Sequence, residues 1–410
     1  MDTITHLIIG GGIAGTTAAE TIRKRDPDSR IVIISDEPHH LYSRILLSKP
    51  NFFLGEVPFD RVWMKDAAWY DEQHIEFMGG RTAHKLDTTT KMVTLDDKTE
   101  LHYNKLLIAI GGCVRRWKGS GETLEGIHYL RTLDDAKAII AAVPNAKHAV
   151  VVGGGFVGFE MCDMLRRSGM EVTFVIREAY PWSKLLDSTS GAMLTKALVD
   201  GGVRVVQNAE VASMVGESAV QGVRLTTGEE AAAEMVIVGI GCTCPFAWIE
   251  AAGIAVGRSV MTNEFLETSA PDVWAAGDAA EFVDVVSGDR VQLGSWPNAQ
   301  LHGAVAGKNM TGAHEAYRWV SYYVAHGFGL QINFAGDIRL DDQRVVVPRG
   351  DAENGYGRII LRSGKLVGAT LLNRPTELGT ITKIIDAGID CLGREAELAD
   401  PTFDLASLLT

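Results

Sequence analysis

The sequence has 410 residues, a net charge of −13, 46% hydrophobic residues and 22% charged residues. This composition is typical of a globular chain of about two or three domains, and it excludes a coiled coil or a largely disordered protein. The acidic balance disfavours binding to nucleic acid, which requires a basic face.

The distribution of apolar residues and cysteines indicates a cellular location. No apolar run approaches the ~18 residues that cross a bilayer, so we expect no membrane span. The first residues are not basic and reach glycines by residue 10, so we expect no signal peptide. The cysteines are odd in number and form no Cys-x-x-Cys pair, which predicts reduced, buried thiols in a cytoplasmic protein; they are Cys113, Cys162, Cys242, Cys244 and Cys391.

The N-terminal residues predict a strand–turn–helix–strand unit. An apolar strand over residues 4–9 leads into Gly10, Gly12 and Gly15, which open an alanine-rich helix, and residues 31–34 form the next strand. Glycines in this pattern let the backbone approach a pyrophosphate, whose charge meets the amides at the helix start. An acid about 20 residues further on binds ribose hydroxyls in such units, and Asp36 or Glu37 is placed for this.

A second copy of this unit begins with Gly153, 143 residues after Gly10. A strand over residues 149–152 leads into Gly153, Gly155 and Gly158, then a helix to about Arg167 and a strand over 172–176. Arg177 at the ribose position would accept the 2′-phosphate of NADPH, unless Glu178 takes a ribose hydroxyl instead or Arg177 is a solvated loop residue. The nicotinamide type therefore stays open.

The remaining segments complete the predicted fold. Apolar segments cover residues 106–110, 235–241 and 273–278, and a helix covers about 298–310. After residue 318, alternating strands, a Ser363-Gly364 hairpin turn and a helix over about 377–387 predict a small α+β domain. The fold class is therefore α/β, with two Rossmann-like dinucleotide-binding domains and a C-terminal α+β domain. The predicted boundaries are 1–114 with 241–317, then 115–240, then 318–410.

Several stretches carry a family resemblance. The segment from Ser35 to Lys49 resembles the FAD-binding stretch of class III pyridine nucleotide–disulfide oxidoreductases, most of all the ferredoxin- and rubredoxin-reductase type and the apoptosis-inducing factor type. Further stretches are similar to motifs of that family: Tyr103–Gly111, Gly153–Glu160, Trp274–Asp278, Ser295–Ala299 and Asp400–Leu405. The resemblance implies non-covalent FAD in the first, discontinuous domain, NADH or NADPH as co-substrate in the inserted domain, and a C-terminal domain of the interface or dimerisation type.

The resemblance also implies the residues of the cofactor sites. Gly10, Gly12 and Gly15 would hold the FAD pyrophosphate, and Asp36 or Glu37 the adenosine ribose. Arg44 and Lys49 would contact the flavin side, Asp278 would accept from the ribityl chain, and Trp296 would cover the ring. The nicotinamide dinucleotide would bind Gly153, Gly155 and Gly158, with Arg177 or Glu178. The other predicted cofactor-binding residues are Ala83, Ala109, Gly111, Arg115, Gly241, Gly277 and Ser295, and no metal ligand is predicted.

Lys49 and Glu160 form the predicted catalytic pair. In the family that the chain resembles, the lysine ammonium lies beside flavin N5 and pairs with the glutamate that follows the nicotinamide glycines. A fixed cation there stabilises the reduced flavin, and the lysine needs a carboxylate because an unpaired buried ammonium is costly. From the residues alone, both could instead be exposed charges; likewise Asp278 could be a helix N-cap and Trp296 a core residue.

The sequence departs from the family in ways that concern the electron acceptor. No cysteine precedes residue 113, which removes disulfide and persulfide reductase chemistry. Ile45-Leu46 replaces a usual proline pair, Ile110 a usual threonine, and residues 318–323 differ from the usual interface stretch.

We predict transfer to a small iron–sulfur protein, a ferredoxin or rubredoxin, by a monomer or homodimer. The alternatives are a reductase that uses oxygen, a quinone or a metal ion directly, and a redox sensor that acts through protein interactions. The basic residues 115–118 could be a solvated hinge, an FAD contact or a docking patch for the iron–sulfur protein.

Overall fold

The computed structural model describes residues 3–410, so residues 1 and 2 of the predicted first domain lie outside the described residues. The chain divides into two compact units. The first unit contains the residues up to Ile45, Phe59–Cys113 and Cys242–Trp319; the second contains Leu46–Pro58, Val114–Gly241 and Val320–Thr410. The division into three domains stays a prediction.

The first unit is built on a mainly parallel sheet. Its parallel strands lie in the order Ile75–Gly79, Ile31–Ser35, Ile4–Ile9, Glu100–Ile108 and Val273–Ala275. The strands Met92–Leu95 and Ala83–Asp87 continue the sheet in antiparallel fashion beside Glu100–Ile108. The strand order reverses at Ile4–Ile9, and ligands of open α/β sheets bind at the carboxyl ends of strands at such a point. Gly10 follows directly after that strand.

Two helices pack closely on this sheet. Ile13–Arg25 crosses Trp296–Met310, where a Cβ on Gly303 or Gly307 would collide with the backbone of Ala14 or Ala18. The other elements of this unit are the helices Ala67–Glu72 and Ala247–Glu250, the 3-10 turns Phe59–Val62 and Gly277–Ala279, and the short strands Val260–Met261, Ala280–Val283 and Arg290–Val291. The turn Arg44–Ser48 and the two-residue strands Cys113–Val114 and Cys242–Thr243 lie where the chain passes between the units.

The second unit contains another parallel sheet. Its strands lie in the order Val203–Val206, Glu171–Val175, His148–Val152, Met235–Val238 and Ile127–His128. A smaller antiparallel sheet contains Val211–Gly216, Val220–Leu225 and Glu230–Ala232. The helical elements here are Pro50–Phe53, Leu133–Ala142, Val143–Asn145, Phe156–Arg167 and Ser188–Asp200.

The C-terminal residues of the second unit form an antiparallel sheet. Its strands lie in the order Tyr322–Gly327, Leu330–Gly336, Lys365–Leu372, Gly355–Arg362 and Arg344–Asp351, followed in the chain by Pro375–Glu377, Leu378–Ala387, Glu395–Ala399 and Leu405–Leu409. The sheet contacts the residues that precede the helix Ser188–Asp200: the Tyr356 hydroxyl donates to Asp187 (2.7 Å), and Arg358 donates to the carbonyl of Leu185 (2.5 Å).

The structure confirms the α/β fold class, both glycine-turn units and the Ser363-Gly364 hairpin turn. Within residues 3–410, we find no helix that is both long and apolar enough to cross a membrane. None of the five cysteines forms a disulfide, but the expectation that they are buried is wrong for Cys113 and Cys242. These two lie on short strands at the passages between units, where the chain leaves the packed sheets and their side chains are exposed.

Candidate functional site

Among the three motif glycines of the first loop, Gly12 is the one that has open space beside it. Gly10 has φ +120°, and a Cβ there would collide with the carbonyl of Ala109; a Cβ on Gly15 would collide with the carbonyl of Gly10. A Cβ on Gly12, by contrast, would meet no atom of the described residues within 4 Å. Protein packing therefore explains Gly10 and Gly15, whereas Gly12 opens onto space that a pyrophosphate can approach.

The second glycine loop repeats this arrangement. Gly153 has φ +108° and lies against the carbonyl of Gly239, and Gly158 lies against the carbonyl of Gly153. Gly155 again faces no atom of residues 3–410 within 4 Å. In both copies the middle glycine is the helix N-cap, and in the described structure no side chain hydrogen-bonds into either helix start. Both helix starts therefore present backbone amides to an anion, and both loops fit a dinucleotide.

The acids of the first unit differ in exposure and contacts. Asp36 is exposed, and its Oδ1 accepts from the backbone amide of Glu37. The Glu37 carboxylate accepts from the Tyr42 hydroxyl (2.7 Å) and from Arg44 (2.6 Å). Arg44 also lies over the Tyr42 ring, 5.0 Å from its centroid. The structure thus joins Glu37 and Arg44, two residues that were predicted for separate contacts.

The corresponding acid of the second unit lies against its glycine loop. Glu178 Oε2 is 3.5 Å from the position of a Cβ on Gly154, the residue between the first two glycines of the motif. Arg177 Nε pairs with Glu178 Oε1 at 2.9 Å, and its side chain is 58% exposed. The carboxylate is therefore placed at the loop, and the guanidinium lies in solvent beside it.

Lys49 and Glu160 are brought together within the second unit. Lys49 Nζ is 2.6 Å from Glu160 Oε1, although the residues are 111 positions apart in sequence. The Glu160 side chain is only 7% exposed, and the Lys49 side chain is 26% exposed. The Ser48 hydroxyl donates to the other carboxylate oxygen, Oε2, at 2.5 Å. The alternative that both charges are simply exposed on the surface is therefore wrong.

Two residues near this pair had no prediction from the sequence. Ser48 precedes Lys49 directly, and this adjacency of a hydroxyl to a predicted cation is the signal that could have found it. Tyr323 comes from the C-terminal sheet; its ring packs on Phe156, with 4.6 Å between centroids. Burial, and then the negative charge of Glu160, raise the pKa of Tyr323, so its hydroxyl stays neutral.

A buried histidine on the helix Trp296–Met310, which the sequence analysis missed, contacts the second predicted FAD motif. Gly277 has φ +71°, and its amide donates to His302 Nδ1 at 3.2 Å. Burial lowers the pKa of His302 to about 3, so the imidazole is neutral and can accept this bond. Asp278 lies in the turn Gly277–Ala279, and Ser295 rather than Asp278 is the N-cap of the helix Trp296–Met310.

The remaining predicted residues are scattered over both units. Trp296 is half-buried and packs against the core of the first unit. Part of its side chain is therefore exposed, which a residue wholly within the core would not show. Ala83 and Ala109 are buried in the first unit, and Gly111 has φ +64°. In the second unit, the amide of Arg115 donates to the carbonyl of Gly241 at 2.9 Å.

The basic residues 115–118 do not present a uniform positive surface. The Arg116 guanidinium lies 4.9 Å from the centroid of the Tyr129 ring. Lys118 Nζ is 3.5 Å from Glu122 Oε1, and its side chain is 77% exposed. One charge of this cluster is therefore paired with a carboxylate of the second unit, and the three interpretations of the cluster stay predictions.

The two glycine loops, each with an acid after its second strand, define a protein with two dinucleotide sites. Residues 4–303 match the family model of the pyridine nucleotide-disulphide oxidoreductases, and residues 325–409 match that of the reductase C-terminal domain. The chain therefore belongs to the pyridine nucleotide–disulphide oxidoreductase family.

Individual relatives agree with this assignment. The chain is 32% identical, over 100% of its length and 98% of the relative, to the biphenyl dioxygenase system ferredoxin–NAD(+) reductase component of Paraburkholderia xenovorans (strain LB400). It is 30% identical to the anthranilate 1,2-dioxygenase system ferredoxin–NAD(+) reductase component of Burkholderia cepacia, over 98% of both chains. The ferredoxin reductase for the CYP199A2 system from Rhodopseudomonas palustris has a TM-score of 0.90 at 26% identity, covering 99% of this chain and 100% of that one.

These findings confirm several predictions from the sequence. The chain is an FAD-dependent NAD(P)H oxidoreductase of the ferredoxin-reductase type, as the motifs indicated. Both glycine loops fit the dinucleotides that this class of enzyme uses, FAD and NAD(P)H. The roles assigned to individual residues stay predictions.

Proposed function

We propose that this protein takes hydride from NADH and passes electrons singly to a ferredoxin. The observation that carries the proposal is the pair of ligand-open glycine loops in a chain whose first 112 residues contain no cysteine. Two dinucleotides then bind, but no thiol is available in the predicted flavin segment to accept the electrons. When bound, FAD supplies the hydride acceptor and the exchange between two-electron and one-electron transfer.

Under this proposal, the chain contributes binding, orientation and charge. Gly10, Gly12 and Gly15 hold the FAD pyrophosphate, and Gly153, Gly155 and Gly158 hold that of NADH. Glu37, fixed by Tyr42 and Arg44, is the better placed acid for the adenosine ribose of FAD because its carboxylate is already oriented. Lys49 presents its ammonium at the flavin ring, and Glu160 pairs with that ammonium and holds it in place.

The acceptor is tested by comparing three electron acceptors with the same purified holoprotein. With NADH in excess, we expect rapid turnover with a ferredoxin from a biphenyl dioxygenase system. The reduction of cytochrome c by the reduced ferredoxin reports this turnover. We expect slow turnover with a quinone and slow release of hydrogen peroxide in air. Relatives named as ferredoxin–NAD(+) reductases of dioxygenase systems support this expectation.

Two outcomes would contradict the proposed acceptor. Peroxide release as fast as ferredoxin reduction would identify a reductase that uses oxygen directly. Fast flavin reduction without turnover on any of the three acceptors would favour a redox sensor that acts through protein interactions. A rubredoxin serves as a further acceptor in the same assay, since the choice between the two iron–sulfur proteins belongs to the proposal.

NADH is the proposed co-substrate because of the charges at the second ribose position. Glu178 lies against the glycine loop, where a carboxylate accepts from ribose hydroxyls and repels a 2′-phosphate. Arg177 could attract that phosphate, but its guanidinium is paired with Glu178 and lies largely in solvent. The carboxylate therefore lies nearer the loop than the guanidinium does, and this placement favours NADH.

Replacing Glu178 with alanine is expected to reduce the preference for NADH. We expect kcat/KM for NADH to fall about tenfold, on the scale of one hydrogen bond to a charged group, and kcat/KM for NADPH to stay level or rise. Steady-state kinetics with both nucleotides measure the change. Glu171→Ala, which removes an exposed carboxylate from the start of the strand Glu171–Val175 that precedes Glu178, is the matched control. Equal losses with both nucleotides would show that Glu178 does not contact the ribose.

The proposal also includes a cellular location and an assembly state. We infer that the protein acts in the cytoplasm, because none of its five cysteines forms a disulfide. We also propose that residues 1–114 with 241–317 bind FAD, that residues 115–240 bind the nicotinamide dinucleotide, and that residues 318–410 form a separate domain.

The protein would act as a monomer or a homodimer. Sedimentation of the holoprotein distinguishes these two states.

A further inference from the structure

Both oxygens of the Glu160 carboxylate are held by neighbouring residues of one short segment. Lys49 Nζ contacts Oε1 at 2.6 Å, and the Ser48 hydroxyl donates to Oε2 at 2.5 Å. Glu160 lies in the second turn of the helix Phe156–Arg167 and is almost fully buried. Charge-assisted hydrogen bonds of this length are about twice as strong as neutral ones.

The local backbone explains why two consecutive side chains converge on one carboxylate. Ser48 ends a 3-10 turn, and Lys49 is the extended N-cap of the short helix Pro50–Phe53, with φ −93° and ψ 131°. Phe53 is buried in the same hydrophobic cluster as Phe159, the residue before Glu160. The segment is therefore anchored on the helix by an apolar contact close to the polar one, which fixes the distance between its backbone and Glu160.

The two bonds have different consequences for the carboxylate. The terminal torsion of a glutamate is broad and roughly two-fold, so a bond to one oxygen alone leaves the carboxylate plane free to rotate. The lysine stem is also flexible and carries a large rotamer entropy. Only a second donor, on the opposite oxygen, fixes the plane and with it the direction of the Lys49 ammonium.

We propose that Ser48 is a positioning residue for hydride transfer, which orients Glu160 so that Glu160 in turn holds the Lys49 ammonium. The proposal rests on the proposed function, in which Lys49 lies at the flavin. Ser48 acts through Glu160 and Lys49 and needs no contact with either cofactor. Its loss removes the hydroxyl donor from Oε2 of this buried carboxylate and lets the ammonium move from the position that stabilises reduced flavin.

The test compares Ser48→Ala and Ser48→Thr with the parent protein. Stopped-flow reduction at saturating NADH gives the limiting rate, its dependence on NADH gives the affinity, and a redox titration gives the midpoint potential of the flavin. For Ser48→Ala we expect the limiting rate to fall about tenfold and the potential to become more negative, with FAD content and NADH affinity unchanged. Ser48→Thr, which keeps the hydroxyl, should restore both the rate and the potential.

Ser168→Ala is the matched control. Ser168 caps the other end of the same helix, and its hydroxyl donates to the carbonyl of Met164 at 3.0 Å. This variant also loses one serine hydrogen bond from that helix, but it does not touch Glu160. Its rate and potential should equal those of the parent.

The remaining outcomes separate the two proposals. If Ser48→Ala behaves as the parent while Lys49→Met is slow, Ser48 does not position the pair, and the proposed function stands. If Lys49→Met is also as fast as the parent, the placement of the pair at the flavin fails, and the proposal for Ser48 fails with it. Loss of FAD in both Ser48 variants would show a purely structural role and would overturn the proposal.

Discussion

Replacing Lys49 with methionine is expected to slow the reduction of the flavin by NADH about 100-fold, the scale on which preorganised charge acts in active sites. Methionine keeps the length and the apolar stem but removes the ammonium. The Glu160 carboxylate then keeps its bond to the Ser48 hydroxyl but loses the ammonium, and a negative charge faces the site in place of an ion pair. Because reduced flavin carries negative charge, the cation favours the product of hydride transfer more than its reactants.

The measurement is stopped-flow reduction at saturating NADH, with FAD content determined on the same sample. Lys49 is one of many predicted FAD contacts, so we expect FAD to be retained. Lys196→Met is the matched control, because Lys196 also forms an ion pair at 2.6 Å, with Asp200, but on an exposed helix surface. A limiting rate in Lys49→Met equal to that of Lys196→Met would remove the catalytic role assigned to Lys49.

The parts of the fold that follow from local chemistry were predictable from the sequence. Each glycine motif requires a strand before it and a helix after it. Both strand–turn–helix segments could therefore be located to within a few residues. Helix ends were less secure: the helix predicted over about 298–310 begins at Trp296, and Pro297 in its first turn was an available signal. The two-residue strand Ile127–His128 is too short to show any periodicity, and only its pairing with Met235–Val238 identifies it.

The same distinction applies to the candidate site. Residues that a local motif specifies could be predicted from the sequence pattern, whereas contacts between distant parts of the chain could not. The Gly12 and Gly155 positions could be predicted because the motif itself specifies them. The contact between Lys49 and Glu160 came from family resemblance, since no local pattern relates residues 111 positions apart. That Leu46–Pro58 belongs to the second unit could not be predicted, because it follows from the burial of Phe53 and not from chain order. Tyr323 and His302 have no motif at all, and only packing reveals them.

Replacing Gly155 with alanine is expected to abolish efficient use of NADH without disturbing the fold. The residue has φ −92° and ψ −173°, which alanine adopts freely, and its Cβ would meet no atom of the described residues within 4 Å. The added methyl group therefore occupies only the space into which we place the nicotinamide pyrophosphate. We expect kcat/KM for NADH to fall about 100-fold, as for other displacements of about 1 Å in a binding geometry, with FAD retained and the thermal midpoint unchanged.

Two further glycine variants make this result specific. Gly379→Ala, where a Cβ would likewise meet no atom of residues 3–410 within 4 Å, should leave NADH kinetics as in the parent, since no cofactor is placed there. Gly158→Ala should destabilise the protein, because its Cβ would collide with the carbonyl of Gly153. The contrast matters because both Gly155 and Gly158 belong to one motif, yet only the first is free of protein contacts. Normal NADH kinetics in a folded Gly155→Ala variant would show that the open space at this loop is not where the dinucleotide binds.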